Sequence, residues 1–126
     1  MSGGRLVLVA DDEEDILALV TTILERAGYE VVSVRDGAEA LTAVRDRRPD
    51  LAVLDISMPE VDGLEVLRRI RADADTSELP VLLLSAQAQE ADVKLGFATG
   101  ASAYVKKPFS PRDLTDRVDE LLGHSH

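Results

Sequence analysis

Adjacent carboxylates at Asp11 and Asp12, a third at Asp55, a hydroxyl at Ser85 and an ammonium at Lys107 are the side chains of this sequence best suited to chemistry. Each closes or follows a short apolar run: LVLVA leads to Asp11, LAVL to Asp55, VLLL to Ser85 and AYVK to Lys107. If three carboxylates shared one pocket they would repel one another and require a proton or a divalent cation. Oxygen donors without His or Cys favour a hard ion. Mg²⁺, or Mn²⁺ in its place, suits the set, because Mg²⁺ keeps several waters and takes one or two carboxylates with phosphate oxygens. A carboxylate is also a nucleophile toward phosphorus and yields an aspartyl phosphate. The metal, Lys107 and the Ser85 hydroxyl would then neutralise and orient the transferring phosphoryl oxygens.

Singly, these residues have ordinary readings. Asp11 and Asp12 suit a helix N-cap with favourable dipole charges. Ser85 suits a turn, Lys107 a solvated surface charge, and Tyr104 a core or surface aromatic. Glu13, Glu14 and Asp15 read as the solvated first turn of a helix, and His124 and His126 stand in the tail without neighbouring ligands. Asp55 resists such treatment, since a carboxylate ending an apolar strand must find a partner or lose its hydration at a cost. Joint placement at successive strand ends is what carries the argument.

The elements that must position them alternate five times between short apolar runs and helix-period segments. Residues 6–10 read as a strand covered on both faces. A helix is expected over 11–27, with Ile16, Val20, Ile23 and Ala27 inward and Gly28 as its stop. Residues 29–34 read as a strand rich in β-branched residues; Asp36 and Glu39 resemble a capping box opening a helix through Arg47, before Pro49. Residues 51–56 read as the third strand, and a loop with Pro59, Asp62 and Gly63 is expected to lead to a helix around 64–72. Pro80 introduces a strand over 81–84, ending at Ser85; residues 87–90 open a helix that Gly100 closes. The last strand is 103–106. Ser110 then caps a helix with Pro111 at its first position and Leu114, Val118, Leu121 and Leu122 inward, ended by Gly123. Five β–α units predict an α/β, doubly wound parallel sheet with helices on both faces. In the order 2-1-3-4-5, strands one and three meet at the switch point, where open sheets bind ligands at their carboxyl ends.

Composition narrows the function classes. The 126 residues suit one domain, 1–126, with a core at about 5–122, and carry a net charge of -10, which repels phosphate backbones and argues against direct nucleic-acid binding. With two Tyr, two Phe and no Trp there is little for base stacking, and with no Cys there is neither disulfide framework nor thiolate metal site. No signal-like leader or membrane-length apolar run is present, so a cytoplasmic, soluble domain without membrane contact is expected.

The segments VADDEED, LAVLDISMPEVDG, VLLLSA and YVKKPFS, in that order over residues 5–122, resemble the response regulator receiver family, the CheY-like group with a flavodoxin-like fold. The resemblance implies a two-component signalling switch whose phosphoacceptor is Asp55. It implies that Asp12 ligates Mg²⁺ directly, that Asp11 acts mainly through bound water, and that the Ser57 carbonyl completes the protein's ligands with Asp55. It implies too that Lys107 would pair with Asp55 before phosphorylation and with the phosphoryl group afterwards, beside Ser85 and Ala86. The bond before Pro108 is a cis candidate. Ser85 and Tyr104 resemble a switch pair that alters the face of helix four, strand five and helix five. Ser85 stands where Thr is frequent and keeps the hydroxyl. Ser102 and Ala103 stand where acidic residues are common in that family, and Ser57 and Gln87 match its variable positions, which the resemblance implies influence the aspartyl-phosphate lifetime. The implied partners are a sensor histidine kinase or phosphotransfer protein and a downstream protein or output domain. The receiver would act as a monomer or a phosphorylation-promoted dimer, promoting its own phosphotransfer and dephosphorylation rather than turning over a substrate.

Three other classes fit less well. Dehalogenase-like phosphatases need Asp-x-Asp after a strand, whereas Ser57 stands two residues after Asp55. A flavin phosphate needs hydroxyls and amides after the first strand, where Asp11 and Asp12 repel it. A phosphorylation-independent interaction module on the same fold leaves the assembled site without a use.

Overall fold

The protein is described here by a computed structural model covering residues 5–86 and 89–123; Gln87, His124 and His126 therefore lie outside the described residues. Strands and helices alternate as β1 (Leu6–Ala10), α1 (Glu14–Arg26), β2 (Glu30–Val34), α2 (Gly37–Arg47), β3 (Leu51–Asp55), α3 (Gly63–Ala72), β4 (Val81–Ser85), α4 (Glu90–Thr99), β5 (Ala103–Lys106) and α5 (Pro111–Leu121). All pairings are parallel and the sheet order is β2-β1-β3-β4-β5, the doubly wound arrangement expected from the alternation.

Side-chain alternation along the strands builds two cores. Val7 and Val9, Leu51 and Val53, Leu82 and Leu84, and Ala103 and Val105 pack with α1 and α5 through Leu17, Val20, Leu24, Leu114 and Val118. Leu8, Ala10, Ala52, Leu54, Val81 and Leu83 pack with α2 and α3 through Ala40, Val44, Val66, Leu67 and Ile70. The central strands β3 and β4 are buried at every position, which is why their sequences show no polar alternation. Each fully buried Val or Leu contributes about 1.5–3 kcal/mol, so the rim carrying the polar residues rests on a rigid base.

Helix ends follow their cap residues. Asp36 accepts the Glu39 N–H at 2.8 Å and Asp62 the Glu65 N–H at 2.9 Å. Ser110 Oγ accepts the Asp113 N–H at 3.0 Å, with Pro111 opening α5. Glu39 Oε1 accepts the Arg35 N–H, one residue earlier than a capping box requires.

Helix α1 departs from expectation twice. It begins at Glu14, leaving Asp11 and Asp12 in the preceding loop. Its buried residues are Leu17, Val20, Ile23 and Leu24, while Ile16 is half-buried and Ala27 exposed. The run from Ile16 to Val20 is apolar at every position, so its periodicity does not fix the phase of the buried face.

A buried polar tie joins the start of β2 to α5, where Leu121 is half-buried and Asp119 buried. The Tyr29 hydroxyl donates to the Asp119 carboxylate, and burial followed by this bond pushes the phenol well above its ordinary value. Tyr29→Phe removes a donor from a carboxylate that is 5% exposed. It is expected to lower stability by about 1–2 kcal/mol in urea unfolding, and an unchanged midpoint would show the bond to be idle.

Candidate functional site

The site is built where the parallel ladder runs past the ends of the strands. Asp11 N donates to Val34 O at 3.2 Å, Ile56 N to Leu84 O at 2.9 Å, and Lys107 N to Ser85 O at 2.7 Å. These bonds hold the residues flanking each strand end in register. Asp11, Asp55 and Lys107 continue the alternate positions that face α1 and α5, so one rim receives all three. Ser85 and Tyr104 belong to the opposite series: Leu83 is the register partner of Tyr104, whose ring packs against the second core.

Gly63 fixes the approach of α3 to this rim. Its N–H donates to Ile56 O at 3.0 Å, and a Cβ there would stand 2.4 Å from the backbone oxygen of Asp55. Only glycine lets the first turn of α3 lie this close to the peptide carrying the central carboxylate.

Lys107 Nζ stands 3.0 Å from Asp11 Oδ2, 3.2 Å from Glu13 Oε1 and 3.3 Å from Asp55 Oδ1. Its side chain is 10% exposed. Asp11 Oδ1 accepts the Glu13 N–H at 2.9 Å, and Asp55 Oδ1 the Ser57 N–H at 3.3 Å. Asp11, Asp12 and Asp55 each offer an oxygen, all within 4.8 Å of one another. Asp11 and Asp55 are buried, and Asp12 is exposed.

Burial first, and the Asp11 charge second, push Asp55 up to about 6; the Lys107 charge and the Ser57 amide pull against them. For Lys107, burial acts downward but is outweighed by the Asp11 hydrogen bond, by the charges of Asp55 and Asp11 and by Glu13, so its value is raised. One ammonium thus faces more negative charge than it neutralises, and the donor set matches an oxygen-seeking divalent cation.

The structure brings together every carboxylate singled out from the sequence, with Lys107 among them. Ser85 is buried at the same rim, Ala86 follows it exposed, Tyr104 is half-buried, and the Lys107–Pro108 bond is cis as the resemblance implied. The expected pairing of Lys107 with Asp55 is present but shared three ways. Glu13, read from the sequence as a solvated first-turn residue, is one of the sharers. Acidic residues crowd that stretch, and nothing in their spacing singles it out.

The sequence profile of the response regulator receiver domain matches residues 7–119. The chain belongs to the response regulator receiver family. The receiver is 44% identical over 122 residues to the alkaline phosphatase synthesis transcriptional regulatory protein PhoP of Bacillus subtilis, covering 97% of this chain and 50% of that protein. The chain therefore spans about half the length of the curated relatives it matches. A putative response regulator from Chloroflexus aurantiacus superposes with a TM-score of 0.92 at 34% identity, over 96% of this chain and 99% of that one. The receiver domain of a sensor histidine kinase from Pseudomonas aeruginosa, crystallised with a magnesium ion coordinated in its active site cleft, gives 0.89 at 27% identity over 96% and 95%. These relatives place the receiver in two-component signal transduction. Among its described residues no helix is long and apolar enough to cross a membrane.

Proposed function

We propose that Asp55 accepts a phosphoryl group from the phosphohistidine of a sensor histidine kinase or phosphotransfer protein. The observation that carries this reading is the crowding of Asp11, Asp12 and Asp55 about a nearly buried ammonium at the carboxyl rim of the sheet. An Asp55 carboxylate oxygen attacks phosphorus, the P–N bond breaks, and the leaving imidazole recovers its electron pair. Asp12 and Asp55 would hold Mg²⁺ or Mn²⁺ directly, with the Ser57 carbonyl, while Asp11 holds it mainly through water. The bound ion supplies charge neutralisation at the phosphoryl oxygens. Lys107 donates to one phosphoryl oxygen, and the Ser85 hydroxyl and the Ala86 backbone N–H serve another. Water later attacks phosphorus in the same site, the bond from phosphorus to the Asp55 oxygen breaks, the carboxylate leaves with the electron pair and inorganic phosphate departs, so the receiver promotes its own dephosphorylation.

The readout follows from Ser85 and Tyr104. As the Ser85 hydroxyl moves toward phosphate, the Tyr104 ring turns inward and the face of α4, β5 and α5 changes. Gly96 supports this coupling: it is the buried residue of α4, and a Cβ there would lie 3.1 Å from the Tyr104 ring. The altered face would engage a downstream protein or an output domain, as a monomer or a phosphorylation-promoted dimer in the cytoplasm. The acidic balance disfavours direct binding to nucleic acid or membrane. Kinship with two-component regulators does not favour the phosphorylation-independent alternative.

With Mg²⁺ and acetyl phosphate, the protein is expected to gain one phosphoryl mass, recovered on the peptide containing Asp55. Labelling at another residue, or none, would reject the assignment.

A further inference from the structure

Glu13 occupies the N-cap of α1, yet its side chain makes no cap hydrogen bond there. Glutamate is poorly suited to that position, which favours short oxygen-bearing side chains. Its carboxylate turns instead to Lys107 Nζ at 3.2 Å, a residue 94 positions away in sequence. An ammonium has three N–H donors, and three carboxylates surround this one. Of these, Asp55 is the most distant at 3.3 Å. Asp11 and Asp55 are buried, whereas the Glu13 side chain is 62% exposed and regains water easily when released.

We propose that Glu13 is a positioning residue for Lys107, an exposed anion that draws the ammonium toward α1 until a phosphoryl group on Asp55 claims it. This rests on Asp55 as phosphoacceptor. During transfer from acetyl phosphate, the bond from Asp55 to phosphorus forms, the P–O bond to the acyl group breaks, and acetate leaves with the electron pair. Lys107 must then serve a phosphoryl oxygen, and each N–H engaged by Glu13 is withheld from it. Glu13 therefore sets a threshold for phosphorylation that its exposure keeps low.

Glu13→Gln keeps the length and removes the charge. Glu14→Gln is the charge-matched control, because Glu14 is similarly exposed but pairs with Arg35 at 2.6 Å. Phosphorylation by acetyl phosphate with Mg²⁺ is expected to quicken about two- to fivefold in Glu13→Gln, the range an exposed ion-pair partner commands, and to stay near wild type in Glu14→Gln. In the metal-free protein, the Lys107 Nζ resonance should move in Glu13→Gln alone. Equal rates in the two variants, or an unmoved Nζ resonance, would overturn the proposal. A wild type that takes no phosphoryl group on Asp55 defeats the phosphoacceptor reading instead, and the Nζ comparison still decides whether Glu13 holds Lys107.

Discussion

Asp55→Asn is expected to abolish phosphoryl uptake while making the metal-free protein about 1–3 kcal/mol more stable near pH 8. Folded Asp55 titrates at about 6 against an ordinary 3.8, because burial and then the Asp11 charge oppose its ionisation. Below pH 3.8 the carboxyl is protonated in both the folded and unfolded chains, and its contribution to stability is fully present. As pH rises through 6 the unfolded chain has already ionised and the folded chain follows at a loss, so that contribution disappears. A shift of about two units corresponds to about 3 kcal/mol, and coupling to Asp11 lowers the share that one substitution recovers.

Asparagine keeps the shape and carries no charge, so the variant should gain most at high pH and little near pH 4. Mg²⁺ should reverse the ranking. It stabilises a protein that holds it by about 2.7 kcal/mol at a hundredfold excess over its dissociation constant, and the variant has lost one of three carboxylates. Urea unfolding at both pH values, with and without Mg²⁺, checks all of this. Equal stabilities near pH 8 without metal would remove Asp55 as the strained group.

Much of the site was legible because parallel strands advertise their ends. A strand buried on both faces is apolar throughout, so the polar residue that closes it stands out, as Asp55 and Ser85 do after LAVL and VLLL. Strand order and parity then bring Asp11, Asp55 and Lys107 to one rim. Helix caps were legible for a similar reason: Asp36, Asp62 and Ser110 carry the chemistry that a helix start needs. Other features depended on side-chain reach between elements far apart in sequence. Glu13 and Lys107, and Tyr29 and Asp119, meet only because α1, β2, β5 and α5 pack together, and no local pattern encodes either contact. The buried face of α1 was obscured differently, by apolar residues at five consecutive positions that fit more than one helical phase.

Lys107→Met is expected to act in the opposite sense to Asp55→Asn, destabilising the metal-free protein by about 3–5 kcal/mol near pH 8. Methionine fills much of the same volume, so the loss reports charge rather than a cavity. With the ammonium gone, Asp11 and Asp55 face each other buried without their shared counter-ion. Part of the loss should return on acidification, when Asp55 takes a proton, and part on adding Mg²⁺, which replaces the missing positive charge. The two substitutions should therefore be strongly non-additive: Asp55→Asn in the Lys107→Met background relieves a repulsion greater than it relieves in the wild type. A double mutant no more stable than the sum of the single effects would mean that Lys107 and Asp55 do not sense each other.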